Sequence, residues 1–552
     1  MFFGLFYTFG IATNILLQLK TNNTPLKVIF GMIAQTFLTT VAAFFVPIGA
    51  TFFAWNLFLG ITLFILLRQK IRLDFTVFIT EINALSLFLK LILSIILITA
   101  LQKCAQTPFI LDNESYYIQT IKWINEFGFV KGLANLNIAF GQTSGWHVLQ
   151  AATNFSFLCN RFNDLNGFVF LIICSFIVMQ FQKDYEIKKK SNWLIFILIF
   201  NVLTFQFLNA PSPDLPVFLL VQLVFFMFLD VENAIQNDKI MIVLIAFLIF
   251  IKITIAPIAL LFLFFKLSKK SIQFLLIITT LFATLWLTKN SVTTGFPFYP
   301  YAFCGLNVDW AVPQQLLANI NNMIRNHEFL SINNYAVLTV FEKFNLWIRF
   351  SGINGVFNKG IIILFIIVPF LKKFRSDKNI KILYIILLIH FLLVFCSSPQ
   401  FRFFLPEFVF LSCILASEMF DYFKLKYVYL QFLIFVAVIL PVFLIHFINL
   451  KALTSNKFNQ DAEKVTLLQL LLPEENSKFY DLQFQKVKLG NLVYFSPINC
   501  PFMYATADGK LPTVNQKQIR LFEKKLQIVP QLRGKSLKNG FVSKNISLTS
   551  KP

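Results

Sequence analysis

The stretch from residue 240 to residue 265 is IMIVLIAFLIFIKITIAPIALLFLFF, and its only charged side chain is Lys252. A helix needs about 20 apolar residues to cross the roughly 30 Å hydrocarbon core of a bilayer. The stretch therefore predicts membrane-embedded structure. One long helix with Lys252 in its middle and two short helices that meet at Lys252 both fit the pattern. We expect the two short helices, with Lys252 at the outer interface.

The composition of the whole chain supports the same class of protein. Of its 552 residues, 57% are hydrophobic and 13% are charged, whereas soluble domains have about 25% charged residues. This excludes a soluble protein, a disordered chain, a coiled coil and a disulfide scaffold. The net charge of +22 comes from basic residues that punctuate apolar runs. Because they form no continuous basic face, we expect a membrane protein and no nucleic-acid partner.

Apolar runs recur along most of the chain and predict about 14 transmembrane or half-membrane helices. Several runs are too short for a full span, so we expect these helices to be tilted or shielded by neighbours. The runs lie near residues 3–19, 26–46, 48–67, 84–101, 166–182, 193–208, 214–229, 240–251, 254–265, 271–287, 359–371, 380–396, 405–420 and 427–449.

The basic residues between these runs predict the orientation, because cytoplasmic loops of membrane proteins are enriched in Lys and Arg. With the spans above, all the basic clusters fall on the cytoplasmic side. The clusters are Arg68–Lys70–Arg72, Lys183 with Lys188–Lys190, Lys266 with Lys269–Lys270, Lys372–Lys373–Arg375, and Lys424 with Lys426.

The weakly charged segments 102–165 and 288–358 then become two large outer loops with amphipathic helices. The fold we expect is an all-α polytopic membrane domain over residues 1–450. Residues 451–552 contain several prolines and only short apolar runs, which predicts a small extracytoplasmic α/β or irregular domain.

Two acidic residues, Asp112 and Glu114, follow the fourth predicted span. The region 115–127 has the pattern of an amphipathic helix lying in the membrane interface, with Trp123 as an anchor. Asp112 could simply cap the start of this helix. Alternatively, a carboxylate held at the boundary between water and lipid could act as a general base.

Further candidates lie in the outer segments. His147 follows a Gly-flanked polar turn suited to binding an anion, or it is a solvated interface residue. Asp214 lies in a Pro-rich turn and either caps the next helix or belongs to the site. Lys252 either faces an acid or extends to the interface. Arg402, in a short outer turn, could hold a phosphate or anchor to headgroups.

The order of these features resembles the GT-C superfamily of integral-membrane glycosyltransferases. Asp112-Asn113-Glu114 is placed like the acidic motif in the first large outer loop of that superfamily. Ser212-Pro213-Asp214 resembles a turn of its bacterial members. The stretch Lys289-Asn290, followed by Thr294-Gly-Phe-Pro-Phe-Tyr299-Pro300, is similar to their "R-N … S/T-G-N-P-x-Y-P" stretch, with Lys in place of the usual Arg.

The chain also resembles, more narrowly, an uncharacterised bacterial membrane-protein family found among surface-polysaccharide genes. This resemblance extends over nearly the whole chain. It rests on Tyr117–Glu126, on Gly132–Leu136, and on Arg533-Gly534 with Gly540-Phe541 near the end.

The resemblance implies an inverting transfer of a sugar from a polyprenyl-phosphate donor to a glycan or lipid-linked acceptor, with membrane lipids as the other partners. The transfer would take place at the outer face of a bacterial inner membrane. Asp112 would take the proton of the acceptor hydroxyl, with Glu114 assisting or orienting. Arg402, Lys252 and Lys289 would hold the departing lipid phosphate. A divalent metal is compatible with the resemblance but is not required, and the sequence shows no metal-ligand set. The remaining substrate-binding candidates are His147, Asp214, Asn290 and Tyr299.

Three other classes of function stay open. A polysaccharide polymerase or ligase would also work on outer loops, although these loops contain little Arg. A transporter or lipid flippase predicts charges in the middle of spans, of which the sequence shows few, and related halves, of which it shows none. The last class is a non-catalytic scaffold of the cell envelope.

Overall fold

A computed structural model of the chain describes most of its residues, and the structural statements below concern these. They are residues 2–108, 110–159, 161, 164–186, 193–230, 234–265, 267–329, 337–447 and 467–545.

The described residues before position 448 are mostly helical, as the apolar composition predicts. The helices are α1 (Phe2–Leu16), α2 (Thr24–Ala43), α3 (Ala50–Ala84), α4 (Leu87–Cys104), α5 (Ile118–Phe127), α6 (Gly145–Thr153), α7 (Leu165–Glu186), α8 (Asn201–Leu208), α9 (Asp214–Leu229), α10 (Ala234–Ile251), α11 (Lys269–Thr294), α12 (Gln314–Arg325), α13 (Val340–Arg349), α14 (Gly352–Ile367), α15 (Lys372–Ser376), α16 (Lys378–Ser397), α17 (Leu405–Tyr422) and α18 (Tyr427–Phe447).

Within the described residues, 8 helical segments are long and apolar enough to cross a membrane. They are Thr24–Ala43, Ala50–Ala84, Leu87–Cys104, Leu165–Asp184, Lys269–Thr294, Gly352–Phe370, Lys378–Ser397 and Phe401–Tyr422. Four shorter apolar segments accompany them, namely Phe2–Leu16, Asp214–Leu229, Ile253–Phe264 and Tyr427–Val442. These apolar helices are compatible with a multi-pass membrane protein, but the predicted number of about 14 spans is not confirmed.

Helix α3 differs from the prediction in where it ends. The sequence predicts that a span ends at residue 67 and that Arg68–Lys70–Arg72 forms a loop, whereas α3 continues without a break over its 35 residues to Ala84. This part of the chain contains neither Pro nor Gly after Gly60. Arg and Lys are themselves good helix formers, so a basic cluster alone does not end a helix.

The predicted break at Lys252 is confirmed. Helix α10 ends at Ile251, Lys252 has extended backbone angles (φ −150°, ψ 108°), and a 3₁₀-helix follows from Ile253 to Phe264. The second segment is thus a 3₁₀-helix where the sequence predicts a short span. Pro257 lies inside it, and Pro disfavours an α-helix because it lacks an N–H donor and its ring clashes with the preceding turn.

The first two helices form an unusually close hairpin. A Cβ atom added to Gly10 or to Gly31 would overlap a backbone carbonyl of the opposite helix, at Lys27 and Phe6 respectively. Glycine at both positions therefore allows the two backbones to touch. The Lys27 side chain, buried in this hairpin, pairs with Asp74 of α3 at 2.7 Å, which ties the long helix to the bundle.

The connection between α4 and α7 contains α5, α6 and a π-helical turn, Asn113–Tyr117, that leads directly into α5. The helix expected at 115–127 is present, but the expectation that Trp123 anchors it in a membrane interface is wrong. Trp123 is fully buried and packs against Phe541, near the end of the chain. The apolar face that suggested a membrane surface is covered by the protein itself.

The described end of the chain, residues 467–545, forms a small domain of mixed structure, as expected. After a short helix α19 (Leu467–Leu471), β1 (Phe484–Leu489) pairs antiparallel with β2 (Leu492–Pro497). Helix α20 (Gln516–Leu526) follows, and β3 (Ile528–Leu532) then pairs antiparallel with β4 (Phe541–Asn545). We call residues 467–545 the C-terminal domain.

Some of the sequence predictions lie outside the described residues. These are Lys188–Lys190, Lys266 and the first part of the predicted tail, 451–466. The sidedness of the basic clusters stays a prediction.

Candidate functional site

Four charged side chains from four separate parts of the chain meet in one ionic cluster, made of Asp112, Asp214, Lys252 and Arg402. The Nη1 atom of Arg402 lies 2.6 Å from Oδ2 of Asp112 and 3.4 Å from Oδ2 of Asp214. The other oxygen of Asp214, Oδ1, pairs with the ammonium group of Lys252. Two acids and two bases thus neutralise one another at an end of the helical bundle.

The local structure explains how each acid reaches the cluster. Asp112 directly precedes the π-helical turn, and its side chain makes no capping hydrogen bond. Asp214 is the first residue of α9, where the helix dipole favours a negative charge. The alternative that Asp112 merely caps a helix is therefore wrong, because its carboxylate is directed to Arg402.

The two bases lie at interruptions of helices. Lys252 occupies the extended residue between α10 and the following 3₁₀-helix. Arg402 lies in a 3₁₀-turn, Phe401–Phe404, that leads into α17, and its Nε donates to Gln400 (3.0 Å). The Phe403 ring packs against both cations, with its centre 3.6 Å from the Lys252 ammonium nitrogen and 5.2 Å from the Arg402 guanidinium carbon. Such cation–π contacts are attractive and strengthen when desolvated.

The cluster is buried to different degrees. The side chain of Asp214 is 4% exposed and that of Lys252 is 16% exposed, whereas Arg402 reaches 19% and Asp112 reaches 27%. Asp112 is thus the member most accessible to a reactant. Tyr116 and Tyr117 follow it closely in the chain. Burial, together with nearby negative charge, raises the pKa of each phenol well above its usual range, so both remain neutral.

His147 and Lys289 form a second polar group beside the ionic cluster. The N–H of Ser144 donates to Nδ1 of His147 (3.2 Å), within a capping box that begins α6. The Lys289 ammonium donates to the carbonyl of Thr143. The two groups are adjacent, since the Ser144 hydroxyl donates to the carbonyl of Ile251 (2.7 Å), the residue before Lys252.

The His147 ring is buried rather than solvated, which corrects one alternative from the sequence. Burial, assisted by the charge of Lys289, lowers the pKa of His147 to about 3, so the ring is neutral. Since Nδ1 accepts a hydrogen bond, the proton resides on Nε2. This Nε2 atom is buried and has no hydrogen-bond partner among the described residues. The neutral imidazole therefore has a free N–H to offer to an anion.

The structure does not bring the other sequence candidates into the ionic cluster. Glu114 is fully buried, and its carboxylate bonds to the C-terminal domain at Ser477 and Lys478. Asn290 donates to the carbonyl of Pro297 (3.0 Å), and the Tyr299 hydroxyl donates to that of Ile138 (2.6 Å). The contacts of Asn290 and Tyr299 shape the connection after α11.

Sequence reasoning missed one buried ionisable pair. Nδ1 of His390 on α16 contacts Oε1 of Glu407 on α17, and both side chains are almost completely buried. The Gln222 side chain, on α9, donates to the carbonyl of Pro406 (3.0 Å) next to Glu407. The available signal was a Glu inside the apolar run 405–420, because an ionisable residue inside a membrane span marks a functional candidate.

The arrangement offers little to a metal ion. Among the residues that the structure describes, no group of three or more His, Cys, Asp or Glu side chains could hold one. The two carboxylates of the ionic cluster are neutralised by Lys252 and Arg402. A metal at this position would have to displace these cations.

The fold and the site together define a mostly helical protein with helices suited to a membrane and a partly accessible ionic cluster at one end of them. The chain belongs to the family described as "Domain of unknown function (DUF8201)", which it matches over residues 1–410. The match contains the whole ionic cluster and ends before the C-terminal domain. No curated protein and no solved structure matches the chain.

Proposed function

We propose that the protein is a GT-C-like glycosyltransferase that uses a polyprenyl-phosphate sugar as donor, at the outer face of a bacterial inner membrane. The observation that supports this most is the contact between Asp112 and Arg402. It joins a partly exposed carboxylate with a guanidinium group, beside a buried Lys252 and helices suited to a lipid substrate. Surface-polysaccharide synthesis is the process in which the resemblance of the sequence places such an enzyme.

In the proposed reaction, Asp112 removes the proton of the acceptor hydroxyl. The acceptor oxygen forms a bond to the anomeric carbon of the sugar, and the bond from that carbon to the phosphate oxygen breaks. Negative charge then grows on the departing lipid phosphate, where fixed cations lower the barrier. Arg402 is suited to this role because its planar fork binds two oxygens at once.

Lys252 and Lys289 have supporting roles in this proposal. Lys252 neutralises Asp214, which leaves Arg402 available to exchange its contact with Asp112 for a phosphate oxygen. Lys289 is buried and bonds to a neutral carbonyl group, and its charge acts on the buried ring of His147.

The direct test is Asp112→Asn in the native host, followed by analysis of the surface glycan at matched levels of membrane protein. This substitution keeps the size of the side chain and removes the base. Asp309→Asn is the matched control, because Asp309 also pairs with an arginine, Arg533, at 2.5 Å but lies exposed. We expect Asp112→Asn to abolish the glycan product and the control to preserve it. Unchanged glycan in Asp112→Asn would refute the proposal.

The pair of His390 and Glu407 favours a second candidate, a transporter or flippase for a lipid-linked sugar. A buried acid–base pair between two membrane helices is typical of proteins that move protons or charged groups across a bilayer. The two candidate functions predict different results when the side of the membrane on which lipid-linked sugar accumulates is measured. A flippase lacking Glu407 would leave lipid-linked sugar accumulated on the cytoplasmic side, whereas a transferase lacking Asp112 would leave it accumulated on the outer side.

A further inference from the structure

The C-terminal domain contacts the chain on both sides of Asp112. Before Asp112, the N–H of Glu474 donates to the carbonyl of Ala105 (3.0 Å). The Glu474 carboxylate accepts from the N–H of Thr107 (2.9 Å) and from its hydroxyl (3.1 Å). The segment entering the ionic cluster is thus fixed by three hydrogen bonds to one residue of the C-terminal domain.

After Asp112, the contacts are denser. The Asn113 side chain donates to the carbonyl of Asn476 (2.8 Å). The Glu114 carboxylate accepts from the Ser477 hydroxyl (2.5 Å) and from the N–H of Lys478 (3.0 Å). The side chains of Asn113 and Glu114 are fully buried, so these hydrogen bonds are shielded from water. Loss of one partner in such a buried set leaves an unsatisfied polar group, which is costly.

The backbone of the same turn also depends on the C-terminal domain. The carbonyl of Glu114 accepts from the N–H of Thr506 (2.8 Å), the N–H of Ala507 (3.1 Å) and the Thr506 hydroxyl (3.0 Å). Glu114 lies in the π-helical turn, a wide and rare geometry that often accompanies functional sites. Buried backbone groups must find partners, and here the C-terminal domain supplies them.

Asp112 itself is left partly exposed between these two sets of contacts and reaches Arg402. We propose that the C-terminal domain is a structural part of the site, and that Glu114 is a positioning residue that holds the turn so that Asp112 meets Arg402. Of the two roles that the resemblance implies for Glu114, assisting or orienting, this proposal selects the orienting one and names the contacts that would produce it. The coupling between the C-terminal domain and the turn Asn113–Tyr117 does not depend on the proposed function. Its effect on sugar transfer does rest on the proposed function.

The coupling can be tested with the purified full-length protein by hydrogen–deuterium exchange of residues 105–117. Glu114→Ala and Ser477→Ala remove the bonds, and Glu114→Gln retains an acceptor for the N–H of Lys478 and a donor for the Ser477 hydroxyl. Glu126→Ala is the matched control, because Glu126 lies near the end of the same helix, on its exposed face. We expect exchange about tenfold faster in Glu114→Ala and Ser477→Ala, and wild-type exchange in Glu114→Gln and in the control.

The same variants are then compared for surface glycan in the native host, per amount of folded protein. We expect Glu114→Ala to lower the glycan, Glu114→Gln to restore it, and Glu114→Ala to have no further effect in an Asp112→Asn background. Wild-type exchange in Glu114→Ala, or equal glycan loss in the Gln and Ala variants, would overturn the positioning role. If Asp112→Asn alone leaves the glycan intact, the proposed function fails while the exchange result still decides the coupling.

Discussion

Asp112 and Arg402 are in direct contact at 2.6 Å, although most of the membrane part of the chain lies between them in sequence. Their contact closes the ionic cluster at its accessible side, while Asp214 and Lys252 form its buried side. Since two acids and two bases balance, the cluster has no net charge of its own. An incoming phosphate must therefore displace a carboxylate from a cation of the cluster, so the product should depend on the geometry of the Arg402 guanidinium group.

We predict that Arg402→Lys strongly reduces the glycan product in the native host, by about tenfold or more. A lysine keeps the charge but cannot reach Asp112, Asp214 and Gln400 together, and each charge-assisted hydrogen bond contributes about 1.5–3 kcal/mol. Arg533→Lys serves as the control, because Arg533 pairs with an exposed aspartate. Equal product in the two variants would show that the guanidinium geometry at position 402 is unimportant.

The buried side of the cluster predicts an effect on stability. Lys252→Met leaves Asp214 without its closest cation and should lower the stability of the protein in detergent by about 3–5 kcal/mol. The double variant Asp214→Leu/Lys252→Met removes both charges and should recover much of this loss. Thermal unfolding measures both effects. Lys183→Met is the control, since its partly exposed pair with Glu81 should contribute only about 0–1 kcal/mol.

Docking of the C-terminal domain should depend on pH through Glu114. Burial raises the pKa of Glu114 from 4.5 to about 7, so the docked state favours the protonated carboxyl group. The contribution of Glu114 to docking is therefore fully present below pH 4.5 and decreases as the pH rises through 7. We expect hydrogen exchange in residues 505–509, corrected for the intrinsic rate, to become faster across this window. Glu114→Gln should remove the dependence, and a dependence that persists in this variant would point to another group.

The contribution of His147 to stability should change with pH in the opposite direction. Burial and the charge of Lys289 lower the pKa of His147 from 6.5 to about 3, so the folded state resists protonation. Its contribution to stability is present above pH 6.5 and decreases as the pH falls toward 3.

His147→Gln should abolish that loss of stability at low pH. It should also keep the stability at pH 8, because Gln at this helix position can accept the N–H of Ser144 as the ring nitrogen does. His147→Ala should cost about 1 kcal/mol at pH 8 through loss of the cap. Thermal unfolding at the two pH values distinguishes these outcomes, and equal stability of the Ala and Gln variants would argue against the capping role.

Much of the site could be predicted from single positions in the sequence. The sequence predicts all four members of the ionic cluster as candidates, because a charge beside an apolar run is costly and can be recognised without knowing its partner. The break at Lys252 was also predicted. The roles implied for Asp112, Lys252 and Arg402 require that they lie close together, but which acid pairs with which base could not be predicted, since ion pairs between distant segments leave no periodic pattern.

One error has a clear physical origin. Trp123 looks like a residue of a membrane interface, because the helix that contains it is amphipathic. A pattern shows that a face needs covering without showing what covers it. Here the C-terminal domain supplies the cover, with Phe541 against Trp123 and Ser477 against Glu114. The continuous helix α3 shows a second limit of sequence patterns, because a cluster of charges does not by itself mark the end of a helix.

The contacts around Asp112 have a consequence for how the protein is made. The turn with Asp112 leaves the ribosome after the first four helices, whereas Glu474, Ser477 and Thr506 are synthesised only after α18. The accessible carboxylate is consequently positioned only after the C-terminal domain has been synthesised and has folded onto the helices. A nascent chain that still lacks the C-terminal domain does not yet contain the completed site.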